Sequence, residues 1–266
     1  TDRGARTTMD ALAAGAVDFV TKPKADVARG LSSMLLELRT KVKIASTANV
    51  ARFKRGPESG GPRPAKTAGA LAESTDKVIA IGASTGGTEA IREVVERLPR
   101  TAPGVVIVQH MPAVFTRLFA ERLDGLSAME VKEAAHGDRV VSGRVLIAPG
   151  GNQMRVVRSG GVYSVEVAPG PLVNGHAPSV EVLLQSVAKH VGANAVGAIL
   201  TGMGGDGAEG LLAMRQAGAR TMAQDEATCV VFGMPKVAWE KGGAERLLPI
   251  SAIGPALLAA VERRSP

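Results

Sequence analysis

The most informative run of residues in the chain is Lys77-Val78-Ile79-Ala80-Ile81-Gly82-Ala83-Ser84-Thr85-Gly86-Gly87. An apolar, strand-like segment ends at a serine between glycines, and a helical pattern from Glu89 to Leu98 follows at once. A strand, a tight turn and a helix would place Ser84 at a strand end, close to the free N–H groups of a helix N-terminus. The spacing Gly-x-Ser-x-Gly also matches a nucleophile elbow. Ser84 is therefore a candidate nucleophile, although the turn could instead bind phosphate or be purely structural.

His110 is the best-placed candidate for a general base among the four histidines. It ends a second strand-like run, Val105 to His110, just before a proline stops the strand. The carboxyl ends of strands in an open parallel sheet line one crevice, so Ser84 and His110 are expected to meet there. His176 precedes a predicted helix and could also face this crevice.

Asp206 is the candidate for the acid that orients the base. It follows a third apolar strand, Ala195 to Leu200, within a turn that holds four glycines in the seven residues Thr201 to Gly207. Asp206 could instead cap the helix predicted from Ala208 onward. The order serine, histidine, aspartate differs from that of α/β-hydrolases, in which the histidine comes last. The ordinary hydrolase fold is therefore disfavoured, while the same three-residue chemistry remains possible.

Five motifs lie in order along the chain: Ile81-Gly-Ala-Ser-Thr-Gly-Gly-Thr88, Gln109-His-Met-Pro112, His176-x-Pro-Ser-Val180, Leu200-Thr-Gly-Met-Gly-x-Asp-Gly-Ala208 and Cys229-Val-Val-Phe-Gly-Met-Pro235. Together they resemble the motifs of the chemotaxis protein-glutamate methylesterases (CheB type). The resemblance extends over residues 77–262, and five linked motifs make it highly specific.

This resemblance implies a hydrolase that removes methyl groups from glutamyl methyl esters on the cytoplasmic helices of chemoreceptors. It also implies deamidation of receptor glutamines. The family's nucleophile, base and acid carry over onto Ser84, His110 and Asp206. The family's oxyanion and substrate contacts carry over onto the region of Thr85, Gly86, Met203 and His176.

The residues before the predicted catalytic part resemble the last third of a response-regulator receiver domain. A helix is predicted from Thr7 to Ala14, a short strand within Gly15 to Pro23, and a second helix from Ala25 to Val42. The resemblance makes Lys22 the lysine that contacts a phosphoryl group. The segment with the phosphoacceptor aspartate is missing from this sequence, so magnesium and an upstream sensor histidine kinase are expected only for the parent protein.

The fold class expected from these patterns is α/β, with three parts. Residues 1–43 form the receiver remnant, residues 44–76 a flexible basic linker, and residues 77–266 the catalytic domain. Alternating strands and helices after residue 77 predict a doubly wound, mostly parallel sheet with helices on both faces. Two apolar runs around Ser159-Gly160-Gly161 predict an inserted antiparallel β-hairpin.

Composition narrows the class of partner. The net charge of +7 is carried by residues 39–66, which hold eight basic residues and one acid, so the rest of the chain is neutral. With only 3% aromatic residues, nucleic-acid binding is not expected. The sequence lacks a long apolar run and metal-ligand spacings, so neither membrane insertion nor a metal is expected. The single cysteine, Cys229, suits a cytoplasmic protein.

Two other functions are open at this point. The first is a nucleotide-binding protein that uses Gly82 to Gly87 as its phosphate loop. This run lacks the third glycine of a dinucleotide fingerprint and the Gly-Lys-Ser/Thr ending of a P-loop. The second is a non-enzymatic α/β signalling module, against which the complete set of serine, histidine and aspartate argues.

Overall fold

A seven-stranded parallel sheet forms the centre of the molecule. The computed structural model describes residues 2–21, 27–50 and 76–262. The strands of the sheet are β1 (Val78–Ala83), β2 (Gly104–Gln109), β3 (Glu130–Glu133), β4 (Arg144–Ile147), β7 (Ala195–Ile199), β8 (Arg220–Gln224) and β9 (Leu247–Leu248). Every pairing in this sheet is parallel, and the strand order is β3-β4-β2-β1-β7-β8-β9.

A separate antiparallel pair is formed by β5 (Gln153–Ser159) and β6 (Val162–Ala168). It is the hairpin that the sequence predicts around Ser159-Gly160-Gly161. Gly160 and Gly161 both have positive φ, which the tight turn requires and which glycine adopts without steric cost.

The central strands are buried on both faces, which explains their nearly continuous apolar sequences. Side chains alternate between the two faces of a strand, so Ile79 and Ile81 of β1 join one hydrophobic core while Val78 and Ala80 join the other.

Helices cover both faces of the sheet, as predicted. The first core contains residues of α1 (Asp2–Ala13), α3 (Gly87–Val95), α4 (Ala113–Leu126) and α8 (Ile250–Glu262). The second core contains residues of α5 (Val180–His190), α6 (Ala208–Gln216), α7 (Met234–Glu240) and the β5–β6 hairpin. The fold is therefore the doubly wound α/β sheet with an inserted hairpin that the sequence indicates.

The N-terminal part differs from its prediction in two ways. Residues 16–21 form no strand, because no neighbouring strand pairs with them; Phe19 instead packs against Phe115 with ring centroids 4.4 Å apart. Helix α2 (Val27–Thr47) extends beyond Val42, where the sequence pattern places its end. Lys22 and most of the predicted linker, residues 51–75, lie outside the described residues.

The N-terminal residues pack directly on the catalytic part. Ala5, Met9 and Leu12 of α1 are each at most 6% exposed and belong to the first hydrophobic core. After α2, the backbone N–H of Asn49 donates to the carbonyl of Val230. Within the described ranges, no helix is long and apolar enough to cross a membrane.

Candidate active site

The three candidate catalytic residues follow three neighbouring strands. Ser84 comes directly after β1, His110 directly after β2, and Asp206 in the loop after β7, and the sheet order places β1 between the other two. Backbone hydrogen bonds join these strand ends: the His110 N–H donates to Ala83 O (3.1 Å) and the Ser84 N–H donates to Thr201 O (3.0 Å). Parallel strand ends therefore bring the three residues to one edge of the sheet, as the sequence predicts.

The turn at Ser84 depends on two glycines. Gly86, the N-cap of α3, has φ 76°, a left-handed conformation, and a Cβ there would lie 2.6 Å from Val230. A Cβ on Gly202 would lie 2.8 Å from the Cβ of Ser84. The loop after β7 can therefore approach the serine closely because residue 202 has no side chain.

His110 and Asp206 form a buried pair. The Nε2 atom of His110 lies 2.8 Å from Oδ2 of Asp206, and both side chains are at most 7% exposed. The other ring nitrogen, Nδ1, is buried and has no hydrogen-bond partner among the described residues. With Nε2–H donated to the carboxylate, Nδ1 is an acceptor that is free to take a proton.

The Ser84 hydroxyl does not hydrogen-bond to this nitrogen in the structure. Hydrogen bonds between nucleophile and base are commonly long in free enzymes and shorten when substrate binds.

Asp206 is held by donors from two other parts of the chain. Its Oδ1 accepts hydrogen bonds from Asn174 Nδ2 and from the hydroxyl of Ser179, both at 2.8 Å. The backbone N–H groups of Val180 and Glu181 also donate to the carboxylate, at 2.7 and 3.3 Å. Asp206 therefore caps α5, which precedes it in the chain, and not α6, the helix considered from sequence; Gly207 is the N-cap of α6.

These donors keep Asp206 ionised. Burial alone would raise the pKa of its carboxyl, but hydrogen bonds from His110, Asn174 and Ser179 outweigh burial and lower the pKa to about 2. An aspartate that is charged at neutral pH fixes the tautomer of His110 and stabilises its protonated form.

His176 packs face to face on His110. The two ring centroids are 3.6 Å apart and the planes differ by 12°. Burial, followed by the nearby charge of His110, lowers the pKa of His176 to about 4, although Asp206 acts in the opposite direction. His176 is therefore neutral near pH 7, and it adds no second positive charge beside His110 when that ring takes up a proton.

Free backbone donors lie beside Ser84. Within the described part of the chain, the N–H groups of Thr85, Gly86 and Met203 donate no hydrogen bond. Unpaired N–H groups near a serine suit the negatively charged oxygen of a tetrahedral intermediate.

A cavity of about 620 Å³ opens beside Asp206. Its wall includes His176, Met203 and Asp206, together with Val237 of α7 and Lys241, which follows that helix. Cavities of this size hold small-molecule ligands or part of a larger substrate. Among the described residues, no cluster of histidine, cysteine, aspartate and glutamate is arranged to hold a metal ion.

Sequence reasoning missed several residues of the site. Asn174 has φ 53° and the following Gly175 φ 83°, so this Asn-Gly pair forms a tight turn that carries the Asn174 side chain to Asp206. The dipeptide itself is a recognisable turn signal. Asp18 accepts a hydrogen bond from Thr85 Oγ1 at 3.0 Å, a contact across 67 positions that no local pattern indicates.

This arrangement is the one found in serine hydrolases: a serine, a histidine and an aspartate meet at neighbouring strand ends, with free N–H groups near the serine. Comparison with known proteins shows to which family of serine hydrolases the chain belongs. Residues 79–257 match the family model of CheB methylesterases, and the chain belongs to this family.

Similar proteins and a solved structure support the same family. The chain is 64% identical to a protein-glutamate methylesterase/protein-glutamine glutaminase of Syntrophotalea carbinolica, over 99% of this chain and 75% of the relative. Protein-glutamate methylesterase/protein-glutamine glutaminase 2 of Pseudomonas aeruginosa is 50% identical over 99% of this chain and 74% of its own length. The crystal structure of the Thermotoga maritima CheB methylesterase catalytic domain superposes with a TM-score of 0.67 and 38% identity, covering 69% of this chain and 97% of that chain.

Proposed function

We propose that this chain hydrolyses glutamyl methyl esters on chemoreceptors, with Ser84 as nucleophile, His110 as base and Asp206 as the orienting acid. The observation that carries the proposal is the buried His110–Asp206 pair, whose free Nδ1 lies at the same sheet edge as Ser84. Membership of the methylesterase family and the names of its relatives supply the substrate class.

In the first half of the reaction, Nδ1 of His110 takes the hydroxyl proton of Ser84 as Oγ attacks the γ-carbonyl carbon. The carbonyl oxygen becomes an oxyanion and accepts hydrogen bonds from the N–H groups of Thr85 and Met203. Asp206 stabilises the protonated ring through Nε2. The bond to the methoxy group then breaks, His110 returns its proton, and methanol leaves with the acyl group bound to Ser84.

In the second half, water replaces the alcohol. His110 takes a proton from the water as its oxygen attacks the acyl carbon, and the same N–H groups hold the second oxyanion. The bond to Ser84 Oγ breaks, and the serine recovers its proton from His110. The products are a free glutamate carboxyl group and an enzyme in its starting state.

Glutaminase activity follows from the same site. A glutamine side chain presents a γ-carbonyl like that of the ester, and its leaving group departs as ammonia after taking the proton from His110. An amide is less reactive than a methyl ester, so deamidation is expected to be slower than demethylation. The relatives carry both activities in their names.

The implied partners are the methylated cytoplasmic helices of chemoreceptors, so the reaction takes place in the cytoplasm. A sensor histidine kinase and magnesium would act on the receiver domain of the parent protein, where Lys22 would contact the phosphoryl group. The hydrolysis as proposed is carried by protein groups and water, and it involves neither nucleic acid nor insertion into a membrane.

A methanol-release assay with receptor membranes methylated at glutamate tests the proposal. Wild-type protein should release methanol, and Ser84→Ala should lower the rate about 10³-fold or more, because the nucleophile is lost. Ser251→Ala, at an exposed position of α8, is the matched control and should retain the wild-type rate. Near-normal release by Ser84→Ala with an unchanged circular dichroism spectrum would refute the assignment.

A further inference from the structure

A buried glutamine lies beneath the loop that covers the triad. Gln153, the first residue of β5, has no exposed surface. Its Nε2 donates to the backbone carbonyls of Pro171 and His176, both at 3.0 Å, and its Oε1 accepts from the N–H of Ser179 at 2.9 Å. One amide group thus binds the backbone at three points between residues 171 and 179.

The loop from Pro171 to Ser179 delivers most of the groups that surround the His110–Asp206 pair. Asn174 and Ser179 donate to Asp206, and the ring of His176 packs on His110. The loop contains a hairpin in which Val173 and His176 exchange backbone hydrogen bonds at 3.0 Å. The Gly151 N–H, just before β5, also donates to Ala177 O in this loop.

We propose that Gln153 is a positioning residue of the active site, which holds the Pro171–Ser179 loop so that Asn174, Ser179 and His176 are set against Asp206 and His110. The inference deepens the function proposed above and rests on it. Within the described part of the chain, the Gln153 side chain hydrogen-bonds to the loop and not to Ser84, His110 or Asp206, so its effect on the reaction passes through the loop.

The chemistry of the amide explains why a glutamine occupies this position. The loop presents two carbonyl acceptors and one N–H donor to a fully buried point, and an amide offers matching donors and an acceptor without a charge. An apolar side chain of the same size would leave Pro171 O and the Ser179 N–H without these hydrogen bonds, and His176 O with only the one from the Val173 N–H. The loop would then move toward water to satisfy them.

The substitution Gln153→Met in the whole chain tests this role, with Ser186→Ala as the matched control. The Ser186 hydroxyl of α5 is another buried polar group that hydrogen-bonds to β5. It accepts from the Val156 N–H and donates to Leu183 O, and it forms no hydrogen bond with the Pro171–Ser179 loop among the described residues. Gln153→Met should lower kcat for methanol release about 10- to 100-fold, as expected when catalytic groups are displaced by about 1 Å. Ser186→Ala should keep the wild-type kcat while lowering the unfolding temperature.

A proton NMR titration of His176 reports the position of the loop without any substrate. In the wild type the pKa of His176 is about 4, and in Gln153→Met it should rise toward the ordinary value of 6.5 as the ring leaves His110 and gains solvent. Ser186→Ala should leave it unchanged. If wild-type protein released no methanol, the proposed function would fail, while this titration would still judge the position of the loop.

A second variant covers the case in which Gln153→Met does not fold. Gln153→Glu keeps the shape and the acceptor, and its buried carboxyl can donate to a carbonyl only while it is protonated. Its kcat relative to the wild type should therefore rise as the pH falls from about 8 to about 6. The proposal is overturned if folded Gln153→Met keeps both the wild-type kcat and the low pKa of His176, or if Gln153→Glu matches the wild type across this range.

Discussion

Asp206 accepts hydrogen bonds from one imidazole, two polar side chains and two backbone N–H groups, so replacing one oxygen by an amide nitrogen should be harmful. In Asp206→Asn the new NH₂ group would face other hydrogen-bond donors, which would lose the oxygen that accepts from them. We expect kcat to fall by about 10⁴-fold, the effect of losing the correct tautomer. We also expect the free energy of unfolding to fall by roughly 1–3 kcal/mol from unpaired buried donors. Kinetics and urea unfolding measure the two effects.

Asp138 provides the control for this substitution. Its carboxylate also accepts from a backbone N–H and from a basic side chain, but in a surface turn. Asp138→Asn should reduce stability without changing kcat. Wild-type turnover in Asp206→Asn would mean that Asp206 only holds the N-terminus of α5.

His176 gives the molecule a pH dependence of its own. Its pKa is about 4 in the folded protein against 6.5 ordinarily, so the unfolded state binds more protons between these values. The free energy of unfolding should therefore rise with pH from about 4 to about 6.5 and level off above that. His176→Phe keeps a ring against His110 and should abolish this slope.

Asp206 also makes the free energy of unfolding depend on pH, but in a lower range. The pKa of its carboxyl is about 2 in the folded protein and ordinarily 3.8, so its contribution can be separated from that of His176. Urea unfolding at several pH values measures the contribution of His176, and His190→Phe, on the half-exposed end of α5, is the control that should keep the slope. If His176→Phe showed the same dependence of the free energy of unfolding on pH, that dependence would belong to other groups.

At the level of secondary-structure elements, the sequence predicted the strands of the sheet, apart from β9, and the ends at which Ser84, His110 and Asp206 lie. Long apolar runs that stop at glycine or proline carry that information locally. Strand β9 was missed because two residues are too few to show a pattern.

The partners of Asp206 could not be predicted in the same way. Asn174 and Ser179 reach Asp206, and Gln153 reaches the loop that carries them, only because the β5–β6 hairpin and α5 pack on one face of the sheet. Asp18 reaches Thr85 only through the docking of residues far from it in sequence. Such contacts depend on tertiary packing, which periodicity in one segment does not encode.

The segment between α1 and α2 should restrain the reaction. Asp18 accepts the hydrogen bond of Thr85 Oγ1, next to the nucleophile, and its carboxylate also pairs with Lys41 at 3.1 Å. A negative charge at this point opposes the oxyanion that forms beside Thr85. Asp18→Asn should therefore raise kcat/KM roughly fivefold, which corresponds to about 1 kcal/mol.

Asp10→Asn is the control for this substitution. It removes an exposed ion pair of α1 with Arg122, 3.4 Å apart, on the same N-terminal segment but away from the serine. It should leave methanol release unchanged. A rate for Asp18→Asn that does not exceed that of Asp10→Asn would argue against the restraint.

For the whole molecule, the sheet and most of both hydrophobic cores lie within residues 76–262, whereas α1 adds Ala5, Met9 and Leu12 to the first core. A protein that comprises residues 76–262 should therefore fold. The structure it resembles, a catalytic domain, matches 69% of this chain. Removing α1 exposes apolar surface on α3 and α4, where each large buried side chain contributes about 1.5–3 kcal/mol before the entropy of ordering the segment is subtracted.

The shortened protein should thus unfold at a lower temperature than the whole chain and yet hydrolyse the ester at least as fast as Asp18→Asn, because the carboxylate at Thr85 is gone. Thermal unfolding and methanol release by both proteins measure this. A shortened protein with a native circular dichroism spectrum but a slower reaction than the intact chain would show that the N-terminal residues complete the site. In that case the contact between Asp18 and Thr85 would support Thr85 in its position and would not restrain the reaction.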